Sequence, residues 1–173
     1  HKTVGNAGIF YRGTFTAKQA MMIPSGLNIH DEVDASDPNI IVQYETRLQA
    51  QEDGGWRWYF SHPSLQGHGV DVYWEQSDKK EWYITCHSCS VKQVLSWPDS
   101  IDTDAGEYIC KACKVFLPTS TRISGEWINQ DGVVWTGQVA GDYEFSGWHV
   151  SQLMLWNKSA KDYDQGGGYY YCW

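Results

Sequence analysis

The chain has 173 residues, 13 Lys+Arg against 21 Asp+Glu for a net charge of −8, and 10 Trp, 11 Tyr and 5 Phe. This aromatic-rich, Gly-rich composition excludes a coiled coil, a helical bundle and a disordered chain, and the absence of any run of 18 apolar residues excludes a membrane-spanning helix and argues against a membrane partner. The acidic balance predicts no nucleic-acid partner, since such partners are held by phosphate-neutralising cations.

In chain order, residues 17–22 allow one helical turn. Residues 40–48 (IIVQYETRL) alternate, with Ile40, Val42 and Tyr44 on one face and Gln43, Glu45 and Arg47 on the other, which predicts a half-buried strand. Gly54-Gly55 marks a turn, and Trp56, Trp58 and Phe60 alternate after it. Residues 70–75 (VDVYWE) and 81–85 (EWYIT) flank QSDKK and read as a hairpin. Segment 91–97 allows a helical turn or two before Trp97-Pro98. Residues 126–128 and 133–135 flank Asn129-Gln-Asp-Gly132 as a second hairpin. Residues 148–156 read as a buried strand, and the Gly-rich tail ending in Tyr169-Tyr170-Tyr171-Cys172 reads as a last one. Many short strands predict a mainly β fold of sandwich type, with long loops and little helix. No repeat or linker interrupts residues 1–173, so they read as a single domain.

Five cysteines stand at 86, 89, 110, 113 and 172. Cys86-x-x-Cys89 and Cys110-x-x-Cys113 enclose twenty residues. The spacing suits four thiolates on a tetrahedral metal, and equally a pair of disulfides in a secreted domain. Few Lys, many Trp, Tyr, Gly and Ser, and a sequon at Asn157 lean towards secretion and hence disulfides. Cys172 fits neither scheme.

The chain opens on His1 without an initiator Met, which reads as a processed N-terminus of a secreted, extracellular protein. A terminal amine titrates near neutral pH, so a metal can displace its proton. That amine, the His1 imidazole and a second imidazole would give three nitrogens in a plane, a set that suits Cu(II). His68, just before a predicted strand, is the second ligand favoured by position; His62 on a turn is its rival. His149 lies in a strand that looks buried, His87 sits between cysteines, and His30 precedes an acidic run and looks exposed.

With these residues in view, the chain resembles a lytic polysaccharide monooxygenase. The likeness rests on His1, on His68-Gly69-Val70-Asp71-Val72-Tyr73, on Gly141-Asp142-Tyr143-Glu144, and on the approach Gly166-Gly167-Gly168-Tyr169-Tyr170-Tyr171-Cys172. It is closest to the small oomycete pectin-active branch. The resemblance implies an immunoglobulin-like β-sandwich and copper held by His1 and His68, with Tyr169 axial. It also implies a monomeric enzyme cleaving pectin or a cellulose-type polysaccharide with an external electron donor and O2 or H2O2. The Gln of the family's terminal motif is replaced by Gly167, so Gln152 or His149 would take its place. Two other classes fit the same residues: an intracellular binding module built on a zinc ribbon, and a secreted carbohydrate- or copper-binding protein without catalysis.

Overall fold

The computed structural model describes residues 1–20, 23–52, 54–137, 141–154 and 160. Two compact units divide the chain, His1–Val70 and Asp71–Trp173.

The first unit begins with an exposed antiparallel hairpin of β1 (Lys2–Val4) and β2 (Ala7–Ile9), followed by the short helix α1 (Ala17–Ala20). Strand β3 (Leu27–Asp31) pairs in parallel with β4 (Trp56–Phe60), Leu27 opposite Trp56 and Asp31 opposite Phe60. Between them lies α2 (Pro38–Glu45), where the sequence predicted a strand. The physical reason is at its start. Pro38 takes the first helical turn, where its missing N–H costs nothing, and the Asp37 carboxylate accepts from the Asn39 N–H at 2.9 Å. Ile40, Ile41 and Leu48 are buried while Val42 is exposed, which is helical rather than alternating burial.

Strand β3 inverts the usual pattern. Asn28 and His30 are buried, and Leu27 and Ile29 are exposed. The polar pair is buried because it is satisfied: Asn28 accepts from the Ser25 hydroxyl at 2.6 Å and donates to the Tyr44 carbonyl at 2.9 Å, and the His30 Nε2 lies 2.7 Å from Glu45 Oε1. His30 also stacks on Tyr59 at 5.2 Å, so the expectation of an exposed His30 fails. On the opposite face Leu27 and Ile29 stand beside Trp56, Trp58 and Phe60, with Trp56 70 % exposed.

Helix α3 (Val70–Glu75) stands at the division of the units and replaces the first strand of the predicted hairpin. In the second unit, β5 (Glu81–Thr85) is the centre of a three-stranded antiparallel sheet, flanked by β6 (Lys92–Val94) and later by β9 (Glu126–Ile128). Within segment 91–97, residues 92–94 are therefore strand, and no helical turn forms over 91–96. The pair β7 (Ile101–Asp102) and β8 (Glu107–Tyr108) follows, then α4 (Thr119–Ile123). The predicted hairpin over 126–135 forms: Asn129 N–H donates to the Val133 carbonyl at 3.0 Å, and Trp135 N–H to that of Trp127 at 2.8 Å. Ile84, Cys86, Leu95, Ile101, Tyr108, Cys110 and Leu117 build the core.

Residues 148–154 do not form the predicted buried strand. Trp148 makes one parallel bridge to Lys80, Val150 is exposed, and 152–154 form a single 3-10 turn. The bridge is held from below. Lys80, only 1 % exposed, reaches Asp78 at 2.5 Å and the Ser146 hydroxyl at 2.6 Å, with its ammonium 4.2 Å from the Trp148 ring centroid. Asp78 in turn accepts from the Gly147 N–H at 2.9 Å, and a Cβ at Gly147 would collide with the Ser77 side chain.

At the coarse level the architecture is short mixed strands with little helix. Among the described residues no sheet exceeds three strands, one pair is parallel and no barrel closes. An immunoglobulin-like sandwich does not emerge from these sheets. No helix among the described residues is long and apolar enough to cross a membrane.

Candidate functional site

Two places in the chain concentrate chemistry. The first follows the carboxyl ends of the parallel strands. Asp31 closes β3, and its carboxylate accepts from the Glu32 N–H at 3.1 Å. Glu32 is left-handed (φ 54°), which turns the chain sharply there. Both acids are exposed. Two residues on, Asp34 organises the loop after β4. Its Oδ2 accepts from the Ser64 N–H at 2.6 Å and hydroxyl at 2.8 Å, and its Oδ1 from the Val70 N–H at 2.8 Å. Its own N–H donates to the Ser61 hydroxyl at 3.1 Å. Burial pushes the Asp34 carboxyl up, but the N–H groups of Val70 and Ser64 with the serine hydroxyls outweigh it and hold the group below its ordinary range. Gly69 (φ +58°) lies so close that a Cβ there would strike the Asp34 carboxylate.

The second place is the cysteine cluster. The ligand atoms of Cys86, Cys89, Cys110 and Cys113 all lie within 4.8 Å of one another, and the group can hold a metal ion. All four are free thiols, which corrects the expectation of disulfides; Cys86 Sγ stands 3.8 Å from Cys113 Sγ, and Cys89 Sγ 3.7 Å from Cys110 Sγ. Two matching turns bring them together. In the first, Ser90 N–H donates to the Cys86 carbonyl at 2.9 Å and Cys86 N–H to that of Val91 at 3.0 Å. In the second, Lys114 N–H donates to the Cys110 carbonyl and Cys110 N–H to that of Val115, each at 2.9 Å. Buried Gln93 clasps the second turn, its Nε2 3.0 Å from Cys110 Sγ and its Oε1 accepting from the Lys111 N–H at 2.9 Å. Burial raises the Cys110 thiol, yet the N–H groups of Cys113 and Ala112 and the Gln93 amide lower it to about 6. Cys89 receives a lowering contact from the Val91 N–H, but burial and its three sulfur neighbours push it up to about 12.

The predicted histidine ligands have other surroundings. His1 is exposed, its ring stacked on Phe10 at 5.4 Å. His68 Nε2 lies 3.4 Å from the Asp34 carbonyl, and the chain after it enters a helix, not a strand. His62 is exposed, and His149 Nδ1 pairs with Glu81 Oε2 at 2.7 Å. Tyr169 and Cys172 lie outside the described residues. Among the described residues, the group of three or more ligands that converges is of sulfur, not the nitrogen set expected for copper. Asp31, Glu32 and Asp34 were missed by the sequence reading. Their signal was an alternating strand, Leu27–Asp31, running into consecutive acids. Gln93 carried no signal.

Comparison with known proteins yields one family. The model of the phage terminase large subunit gpA, ATPase domain, matches residues 13–128, more than half of the chain. No curated protein matches, and no solved structure matches. The match overturns the resemblance to lytic polysaccharide monooxygenases. With it go the copper oxidoreductase activity, the polysaccharide substrate with its electron donor and O2 or H2O2, and the two alternative modules. It also overturns the exclusion of nucleic acid, since a terminase points to DNA and ATP. The physical errors were two. Net charge says nothing of where cations cluster. The motif around His68 required a strand at 70–75, where the chain is helical.

Proposed function

Because the chain belongs to the family of the phage terminase large subunit gpA ATPase domain, we propose that it supplies the acidic side of an ATP-hydrolysing site that works in DNA packaging. The observation that carries this is the pair Asp31–Glu32 at the carboxyl end of a parallel strand. In open α/β sheets ligands bind outside the carboxyl ends of the strands, and nucleotide-hydrolysing sites place an acid there to hold Mg²⁺. No G-x4-G-K-S/T pattern occurs in the 173 residues.

The donors suit Mg²⁺, a hard cation that takes carboxylate oxygens and keeps its waters: Asp31 and Glu32 are both exposed, whereas the Asp34 carboxylate is engaged by Ser64 and Val70. Mg²⁺ held there would neutralise charge developing on the transferred phosphoryl group. Asp31 is the residue that would hold it. Glu32 orients the attacking water and accepts its proton at a carboxylate oxygen. Asp34 does neither. It binds the strand-end loops of β3 and β4 into one rigid rim, which fixes where the two acids point.

The test is ATP turnover by the assembled terminase carrying Glu32→Gln or Asp31→Asn. Loss of a positioned base lowers turnover by about 10²–10⁴-fold. Glu32→Gln is expected to keep nucleotide binding, and Asp31→Asn to require a higher Mg²⁺ concentration for its remaining turnover. Unchanged turnover in both variants would refute the reading.

A further inference from the structure

We propose that Cys86, Cys89, Cys110 and Cys113 bind one Zn²⁺ as a closed tetrathiolate site that holds residues 86–117 in their fold. Four thiolates about 2.3 Å from a tetrahedral zinc stand about 3.8 Å from one another. The thiols of this chain are already at that spacing, 3.8 Å for Cys86–Cys113 and 3.7 Å for Cys89–Cys110. A disulfide needs its sulfurs at about 2.0 Å.

The backbone is built for the same end. Each Cys-x-x-Cys closes with an N–H returning to the carbonyl of its first cysteine, and each closing residue, Ser90 and Lys114, is left-handed at φ 59°. Such strained positions persist only where the surroundings demand them. Gln93 fixes Cys110 from the side, its Nε2 3.0 Å from the sulfur. Sulfur in a tetrahedral set selects zinc or iron. Four protein ligands leave no open position for water, so the ion is structural.

The segment needs it. Strand β6 has three residues, and β7 and β8 two each. Ladders this short supply little stability, and small cores of this kind are stapled by metals or disulfides. Cys86 and Cys110 are themselves core residues, beside Ile84, Leu95 and Leu117. The site stands on thiol geometry and is independent of the ATPase reading, because none of its tests measures turnover.

The experiment is metal analysis of the full chain purified under reducing conditions, followed by exchange with Co²⁺. One zinc per chain is expected, and Co²⁺ should give the visible bands of tetrahedral thiolate coordination. Cys89→Ser and Cys113→Ser, at the two exposed positions, should each abolish stoichiometric zinc. If these variants fail to fold, Gln93→Ala keeps the test alive: it should retain all four ligands and bind zinc about 10–100-fold more weakly in competition with a chelator. Four reactive thiols without metal would overturn the proposal, as would a non-reduced mass about 4 Da below the all-thiol value, two hydrogens for each of two bridges. Iron in place of zinc, or unaltered zinc in the serine variants, would overturn it as well.

Discussion

Ser90 and Lys114 occupy the same place in two copies of one turn, each left-handed and each donating its N–H to the carbonyl of the cysteine four residues earlier, at 2.9 Å. Neither is glycine, though a left-handed residue with a Cβ carries a cost of about 1–2 kcal/mol. Lys114→Gly is therefore expected to stabilise the chain by up to about 1 kcal/mol, the steric relief being partly offset by glycine's greater freedom when unfolded. Ser90→Val is expected to destabilise it by more than that. Urea unfolding midpoints of the two variants check both signs.

Lys80 and Asp78 form a buried pair under Trp148. Lys80→Ala leaves the Asp78 carboxylate inside the protein without its cation, and about 3–5 kcal/mol of stability should be lost. Lys80→Met combined with Asp78→Asn should cost less than Lys80→Ala alone, because no uncompensated charge remains. Chemical denaturation of the single and double variants separates the two cases.

The Asp37 carboxylate caps α2 at the Asn39 N–H. Asp37→Ala should cost about 1 kcal/mol and Asp37→Ser almost nothing, since serine also accepts at this position. Thermal melts read by circular dichroism distinguish them.

Asp34 gives a pH dependence with a definite sign. Its folded carboxyl is held below the unfolded value near 3.9, so its stabilisation is complete above that value and disappears as the pH falls through the folded pKa. Protease cleavage within residues 61–69 should rise on acidification below about pH 4. In Asp34→Asn the loop should be cut readily even at neutral pH, with little further change on acidification.

Legibility in the sequence followed how locally each feature is determined. Strands 56–60 and 81–85 and the hairpin at 129–132 were readable, because alternation and a Gly-closed turn are properties of neighbouring residues. Residues 40–48 were misread because Ile-Ile-Val is β-branched and alternates by chance. Asp37-Pro38 announced the helix, and its capping logic was the stronger signal. Convergence of the cysteines was visible in their spacing, but thiol against disulfide was not, since spacing is common to both. The rim at Asp34 was illegible for a different reason. Its partners Ser61, Ser64 and Val70 lie 27 to 36 positions away, and nothing in their types marks them as ligands of one carboxylate.

The parallel pairing of β3 with β4 also bears on how the first unit is made. Strands that run the same way cannot be joined by a tight turn, and here residues 32–55 intervene. The entropy of closing that stretch must be met before a single ladder bond forms, so this pairing is intrinsically slow compared with the local hairpins β1–β2 and β5–β6. A helix that forms early over Pro38–Glu45 shortens the stretch to be closed. Loss of the Asp37 cap is then expected to slow refolding more than it speeds unfolding.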